Sequence, residues 1–379
     1  MRVAIDVSAL TSGLMSGTAV YLYRLVEALA RQPDLELRIL YNGMPGPGAE
    51  LAASLERPGA KVLCSFFRWR ALPGPLFDRP YPAVLRREVR EADVFHVGEF
   101  VYPEPRPRQA VVATVHDVTT RLHPEWHVWP NRLLHRRRLG WIGRRATRVL
   151  IDAEATRADT AAALALPADR LDVVPLARGA GAPPAPLPDV RRRLGLGDDP
   201  YVLFVGTLEP RKNLVRLVTA FRRLPGDLGA VRLVLAGAWG WRTRGLRAAL
   251  RDPASKKTVV AAGALDASTL GGLYAGATVF AYPSLYEGFG LPVLEAMAAG
   301  APVLTSAGGA CAEVAGDAAV LVDPESVDAI AAGLERLLRS GEERLACRER
   351  GLRRERAFSW ERAAALTAAA YRRALTEAA

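Results

Sequence analysis

Short runs rich in Val, Ile, Leu and Phe alternate with Ala-, Leu- and Arg-rich stretches of helical length along nearly the whole chain. That alternation selects parallel sheets, because parallel neighbours need a crossover connection and a helix usually supplies it. The pattern predicts strands near 2–7, 35–41, 93–97, 110–115, 147–151 and 171–175. It predicts a second set near 201–205, 231–236, 258–262, 278–282, 302–305 and 319–322. Between the sets lies Gly-Ala-Gly-Ala-Pro-Pro-Ala-Pro-Leu-Pro, residues 179–188, which continues neither a helix nor a sheet interior. The expected fold class is α/β with two doubly wound parallel-sheet domains, over 1–178 and 189–360, joined by a linker at 179–188. A length of 379 residues suits two domains. In such sheets ligands bind beyond the carboxyl ends of the strands, so the residues just after each strand are where function is sought.

Composition removes several classes. Half of the residues are apolar and 24% are charged, which excludes a wholly disordered chain. No uncharged apolar stretch is long enough for a membrane span. Asp6 interrupts what would be the apolar core of a signal peptide. Cys64, Cys311 and Cys347 are too scattered for a disulfide framework or a zinc cluster, so the expected location is the reducing cytoplasm. The net charge of +11 is spread over both halves, and only four of the 51 basic residues are Lys. That speaks for a genomic Arg bias and against a nucleic-acid partner. One concentration stands out: seven Arg and no acid between Arg132 and Arg148, with Leu, Ile and Trp interspersed. It reads as a basic amphipathic helix. Either it touches an anionic membrane surface peripherally, or it shows a solvated Arg face to water.

After the strand at 201–205 comes Gly206-Thr207-Leu208-Glu209-Pro210-Arg211-Lys212-Asn213, entering a helix at Leu214. Two adjacent cations at a strand-to-helix junction suit an anion, since the helix N-terminus there is already positive. After the strand at 278–282 comes Pro283-Ser284-Leu285-Tyr286-Glu287-Gly288-Phe289-Gly290-Leu291-Pro292-Val293-Leu294-Glu295. Its glycines permit a tight loop against a ligand, and Pro292 suits a first helical turn. Glu287 and Glu295 can face one cleft, where carboxylates accept hydrogen bonds from sugar hydroxyls.

Glu287 and Glu295, with seven residues between them, resemble the E-x7-E motif of retaining nucleotide-sugar glycosyltransferases, and the family most similar is glycosyltransferase family 4, group 1, of GT-B fold. Gly206 to Asn213 resembles its diphosphate motif. Pro302 to Ser306, Gly308-Gly309, Glu313 and Val322-Asp323-Pro324 also fit. The resemblance is strong over 201–325 and looser in the first half.

It implies transfer of a hexosyl unit from a nucleoside diphosphate sugar, GDP-mannose or a UDP-sugar, with retention of configuration. The acceptor would be a glycan, a lipid-linked or a small molecule. Glu295 would hold the ribose and Glu287 the donor sugar. Arg211 and Lys212 would neutralise the diphosphate beside Gly206, Thr207 and Gly288 and the amides of Phe289, Gly290 and Leu291. Leu265 would sit by the base. No metal or other cofactor is expected, as no Asp-x-Asp follows a strand end. A terminal helix near 361–379 would cross back onto the first domain. Another GT-B chemistry (epimerase or phosphorylase) and a non-catalytic sugar-nucleotide-binding subunit are the alternatives.

The first half carries fewer signals. Ser8 to Thr18 is a Gly-containing loop before a helix, but not G-x-G-x-x-G, which disfavours NAD. By the resemblance it closes on the donor, with Gly17 in place of the usual Gly pair. His116-Asp117 follows the strand at 110–115. A His there can hydrogen-bond the donor sugar or stabilise transition-state charge, with Asp117 setting its orientation. His123, His127 and His135 match no metal spacing. Asp152 stands where the family usually has Ser, and Leu176-Ala177-Arg178 where it has an Asn-Gly turn. These departures suit an unusual acceptor or a loss of activity.

Overall fold

The computed structural model describes residues 1–15, 17–66, 82–98, 105–179 and 182–379. Two parallel sheets organise them. The first contains β1 (Arg2–Asp6), β2 (Glu36–Gly43), β3 (Ala60–Phe66), β4 (Val94–Val97), β5 (Ala110–Val115), β6 (Arg148–Ile151) and β7 (Leu171–Val173), in the order β3-β2-β1-β4-β5-β6-β7. The second contains β8 (Tyr201–Val205), β9 (Arg232–Ala236), β10 (Val259–Gly263), β11 (Val279–Tyr282), β12 (Val303–Ser306) and β13 (Ala319–Val322), in the order β10-β9-β8-β11-β12-β13. This is the GT-B arrangement of two Rossmann-like lobes.

Central strands such as β5, β8 and β11 are buried along their whole length, which is why they read as unbroken apolar runs. The strand that the sequence pattern missed is β3. It is an edge strand whose residues are largely half-exposed or exposed, so it carries no such run.

Strand order reverses between β1 and β4 in the first lobe and between β8 and β11 in the second. Ligand crevices open at such switch points. The segment read as a linker is shorter than expected. A helix already begins at Leu187, and Ala185 donates its N–H to the Ser268 carbonyl at 2.9 Å, docking the segment on the second lobe.

The last helix, Trp360–Ala378, is capped by Ser359, whose hydroxyl accepts from the Arg362 N–H. It buries Ala363, Ala364, Ala368, Ala370 and Ala374. Small side chains let it lie close against the helix Gly17–Leu29 and the strands β4, β5 and β6 of the first lobe. Tyr371 enters that lobe's interior and meets His96 Nδ1 at 2.6 Å. The basic stretch also resolves differently from its sequence reading. The helix is Trp129–Arg145, and Arg148 belongs to β6, where it pairs with Asp172 and Glu377. Arg138 is buried and donates to the Thr114 carbonyl at 2.9 Å. The exposed basic face therefore consists of Arg132, Arg136, Arg137, Arg144 and Arg145.

Candidate active site

The loops after β8 and β11 flank the second lobe's switch point and meet there. Arg211 and Lys212 occupy a short 3-10 turn, Pro210–Lys212, that precedes the helix Leu214–Arg222. They do not cap that helix; Asn213, in a left-handed conformation at φ 61°, separates them from it. The turn points both cations across to Glu287. Lys212 Nζ lies 2.6 Å from Glu287 Oε1 and 2.5 Å from the Tyr282 hydroxyl. Arg211 hydrogen-bonds the other oxygen of Glu287 and pairs with Glu209 at 2.7 Å. The Tyr282 hydroxyl also donates to Glu287 Oε1 at 3.0 Å.

These groups are nearly dry: Lys212 is 5% exposed, Glu209 7% and Glu287 9%. Burial alone would push the Glu287 carboxyl up, but Arg211 and Lys212 outweigh it and hold it at about 2. Burial and the Arg211 charge together lower the Lys212 ammonium. Burial disfavours charge on Arg211 as well, yet Glu287, Glu209 and Asp117 hold its proton more tightly than usual. Two cations face two carboxylates here, in a low-dielectric setting where an arriving anion interacts strongly with any repositioned positive group.

Gly206 follows β8 directly and donates its N–H to the Ala236 carbonyl, and Thr207 is exposed on the rim beside it. Gly288 has no room for a side chain: a Cβ there would stand 1.6 Å from the His116 carbonyl oxygen. Phe289 is buried edge-on against Phe358. Gly290, at φ 108°, precedes the helix Leu291–Ala298, which points its first amides toward the loop. Glu295 lies one turn into this helix and accepts from the Tyr274 hydroxyl at 2.8 Å, and burial raises its carboxyl against that bond and Arg178. Leu265, between β10 and the helix Ala267–Gly276, packs partly against the core. The structure thus brings Lys212, Arg211 and Glu287 together, while Glu295 has a separate partner.

The first lobe adds His116, immediately after β5. Its Nδ1 lies 2.8 Å from Asp152 Oδ2, and the Tyr21 ring meets its own edge-on at 4.5 Å. The expected role of Asp117 is corrected: that carboxylate accepts from the N–H of Thr119 at 3.0 Å and from its hydroxyl at 2.7 Å. The acid that meets the ring is Asp152. Gly17 opens the helix Gly17–Leu29, whereas Ser16 falls outside the described residues.

Among the described residues the lobes also touch away from Gly288. Trp241 Nε1 donates to the Trp126 carbonyl at 2.6 Å, and Glu313 accepts the N–H groups of Glu154 and Ala155 at 2.9 and 2.7 Å. His123 stacks on Trp126, and His127 bonds Thr119. Among the described residues no group of three or more His, Cys, Asp or Glu side chains is gathered as for a metal ion.

Sequence reasoning missed Glu209, Tyr274, Tyr282 and the partnership of Asp152. Tyr282 carried a signal, being the last residue of β11 at the switch point.

Two Rossmann-like lobes meeting over a cation-carboxylate cluster define a GT-B glycosyltransferase that uses a nucleotide sugar. Comparison with known proteins agrees. The family profile "Glycosyl transferases group 1" matches residues 188–354, and "Glycosyltransferase Family 4" matches residues 15–177. The chain is 30% identical over 368 residues to the O-antigen chain mannosyltransferase B of Escherichia coli, covering 94% of this chain and 96% of that one. It is 30% identical over 284 residues to the GDP-mannose-dependent alpha-(1-6)-phosphatidylinositol monomannoside mannosyltransferase of Mycobacterium tuberculosis, covering 70% and 71%. Sucrose-phosphate synthase from Thermosynechococcus elongatus shares the fold, with a TM-score of 0.69 at 21% identity over 98% of each chain. The chain belongs to the group 1 glycosyltransferases, family 4.

Proposed function

We propose that the protein transfers mannose from GDP-mannose to a growing saccharide, with retention of anomeric configuration and without a metal ion. The observation that carries the reading is the convergence of Lys212, Arg211 and Glu287 at the switch point opposite His116. In this reading the donor diphosphate draws charge from Arg211 and Lys212 and from the amides of Phe289, Gly290 and Leu291 as the glycosidic bond breaks. Glu287 keeps both cations in place and meets the donor sugar. Glu295 takes the ribose hydroxyls, Leu265 borders the base, and His116 faces the sugar. Gly206, Thr207, Gly288 and Gly17 let the loops close on the donor. The choice of mannose draws support from relatives named as mannosyltransferases.

The purified protein is incubated with GDP-mannose, UDP-glucose or ADP-glucose and a mannooligosaccharide acceptor, with and without EDTA. GDP release and a new α-linkage by NMR, unchanged by EDTA, are expected. No nucleotide release from any donor overturns the reading. A β-linkage overturns retention, and loss with EDTA restored by Mg²⁺ overturns metal independence.

The proposal extends to a peripheral membrane contact through Arg132, Arg136, Arg137, Arg144 and Arg145, beside Trp129, which is 70% exposed. Flotation with anionic but not neutral vesicles is the expected result. Equal recovery with both leaves a solvated face. Among the described residues no helix is long and apolar enough to cross a membrane.

A further inference from the structure

Strand adjacency places an acid beside the candidate active-site imidazole. β5 and β6 pair in parallel with Val115 opposite Ile151, so the residues that follow, His116 and Asp152, leave neighbouring strand ends side by side. Asp152 is 3% exposed, whereas the His116 side chain is 23% exposed. The carboxylate is thus sealed behind the ring, and the ring stands between it and the cleft.

Nδ1 of His116 meets Asp152 Oδ2 at 2.8 Å. An ionised carboxylate accepts only, so Nδ1 carries the proton of this bond. The ring is clamped from the side by Tyr21, edge-on at 4.5 Å. Tyr21 is itself held at its hydroxyl by Thr114 Oγ1 at 2.9 Å, and Thr114 meets His96 Nε2 at 2.9 Å. The His116 carbonyl lies against Gly288 of the donor loop, so fixing this residue fixes a point of contact between the lobes.

We propose that Asp152 is a positioning residue for the transfer reaction: its carboxylate sets the tautomer and angle of His116, so that the ring keeps one orientation toward the donor sugar as the glycosidic bond breaks. The inference rests on the glycosyl-transfer reading above. A histidine held by a buried acid keeps one orientation through the reaction, and at metal sites the outer partners that fix a histidine commonly matter by about 10–100-fold. The other ionisable groups near the pair are Asp117 on the same loop, Tyr21, and His96 behind Thr114. Among the described residues no hydrogen bond joins any of these three to the Asp152 carboxylate, so removing its charge acts on His116 first.

The test compares wild type with Asp152→Asn, Asp152→Glu and His116→Ala, using kcat, donor KM, pH profile and GDP affinity. Asp152→Asn is expected to lower kcat about 10–100-fold with donor KM and GDP affinity within about twofold. It should also move the acidic limb of the kcat profile to lower pH, because the lost carboxylate no longer favours the imidazolium of His116. Asp152→Glu should recover part of the rate, and in His116→Ala the further change Asp152→Asn should cost almost nothing. In ¹⁵N-histidine NMR spectra of wild type, the His116 ring, assigned by its absence from His116→Ala, should appear protonated at Nδ1 and lose that signature in Asp152→Asn. Wild-type kcat and an unmoved pH profile in Asp152→Asn overturn the proposal, as does an additive loss in the double variant. If Asp152→Asn does not fold, the wild-type NMR signature decides: a His116 ring protonated only at Nε2 overturns it. A wild type that releases no nucleotide from any donor overturns the transfer reading instead, and the two failures are distinguishable.

Discussion

The two lobes offer the cleft opposite kinds of surface. The second offers charge: Lys212, Arg211, Glu287 and Glu209 form a compact, nearly dry ionic cluster on two adjoining strand-end loops. The first offers a hydrogen-bonded frame, Asp152 to His116 and Tyr21 through Thr114 and His96 to Tyr371, that runs into the terminal helix. The difference fits the roles proposed for the two surfaces. A diphosphate needs strong fixed charge in a low-dielectric place. A reacting sugar needs direction, which groups locked by packing and hydrogen bonds supply. The lobes meet where Gly288 lies on the His116 carbonyl, so each surface is referenced to the other.

The largest effect expected to break this contrast is Glu287→Ala. It strands Lys212 as a buried cation and leaves Arg211 only Glu209, and breaking a buried pair commonly costs about 3–5 kcal/mol. Turnover should fall roughly 10²–10³-fold as the cations lose their placement. Denaturant melts and initial rates measure the two effects, and a variant with native stability removes the ionic cluster from the account. Next is Gly288→Ala, whose methyl group cannot coexist with the His116 carbonyl in the present arrangement. The lobes must part, and a displacement on the order of 1 Å can cost on the order of 10²-fold in rate. Small-angle scattering should show a larger radius of gyration with little change in melting temperature. Full activity with an unchanged radius would show that the contact plays no part in the active arrangement.

The lobes also differ in how far the sequence revealed them. The second was readable because its chemistry is contiguous: Arg211, Lys212, Glu287 and Glu295 sit in two short segments after strands that are themselves unbroken apolar runs. The parts that escaped are defined through space. Glu209 matters because the 3-10 turn bends Arg211 back onto it, and Tyr274 because its helix lies beside that of Glu295. In the first lobe adjacency misled. Asp117 follows His116 in the chain, but successive side chains of extended backbone diverge, and the acid that meets the ring comes from the next strand. The arginine run hid a similar division. A count of charges does not distinguish Arg138 and Arg148, turned inward onto Thr114 and Asp172, from those left in water. β3 escaped because an edge strand open to solvent lacks the apolar run of a buried one.

Acid should separate the lobes by a smaller effect. Burial, with a lesser contribution from His116, pushes the His96 ring down to about 3 from an ordinary value of 6.5. Below about 6.5 the unfolded ring takes a proton that the folded ring refuses, so the first lobe loses stability progressively as pH falls. Glu287, held at about 2 against an ordinary 4.5, stabilises the second lobe above about 4.5 and gives that stability up as pH falls toward 2. Calorimetry between pH 7 and 4 should show the melting temperature declining from near 6.5, with the first lobe leading. A flat response down to pH 5 would mean that His96 is solvated or partnered as an imidazolium.

The smallest effect on turnover is expected at Tyr371→Phe. The hydroxyl is buried and meets His96 Nδ1, so its loss leaves a ring nitrogen without that partner and should cost about 1–3 kcal/mol of stability. The rate should change by no more than about twofold, because the tautomer of His116 is set by Asp152 and not by the far end of the frame. Paired measurements of melting temperature and kcat separate the two outcomes. A rate loss as large as that of Asp152→Asn would mean that orientation reaches His116 from the terminal helix through Thr114 and Tyr21. The frame would then be one mechanical unit, and the helix that crosses between lobes would be part of the active site and not only its brace.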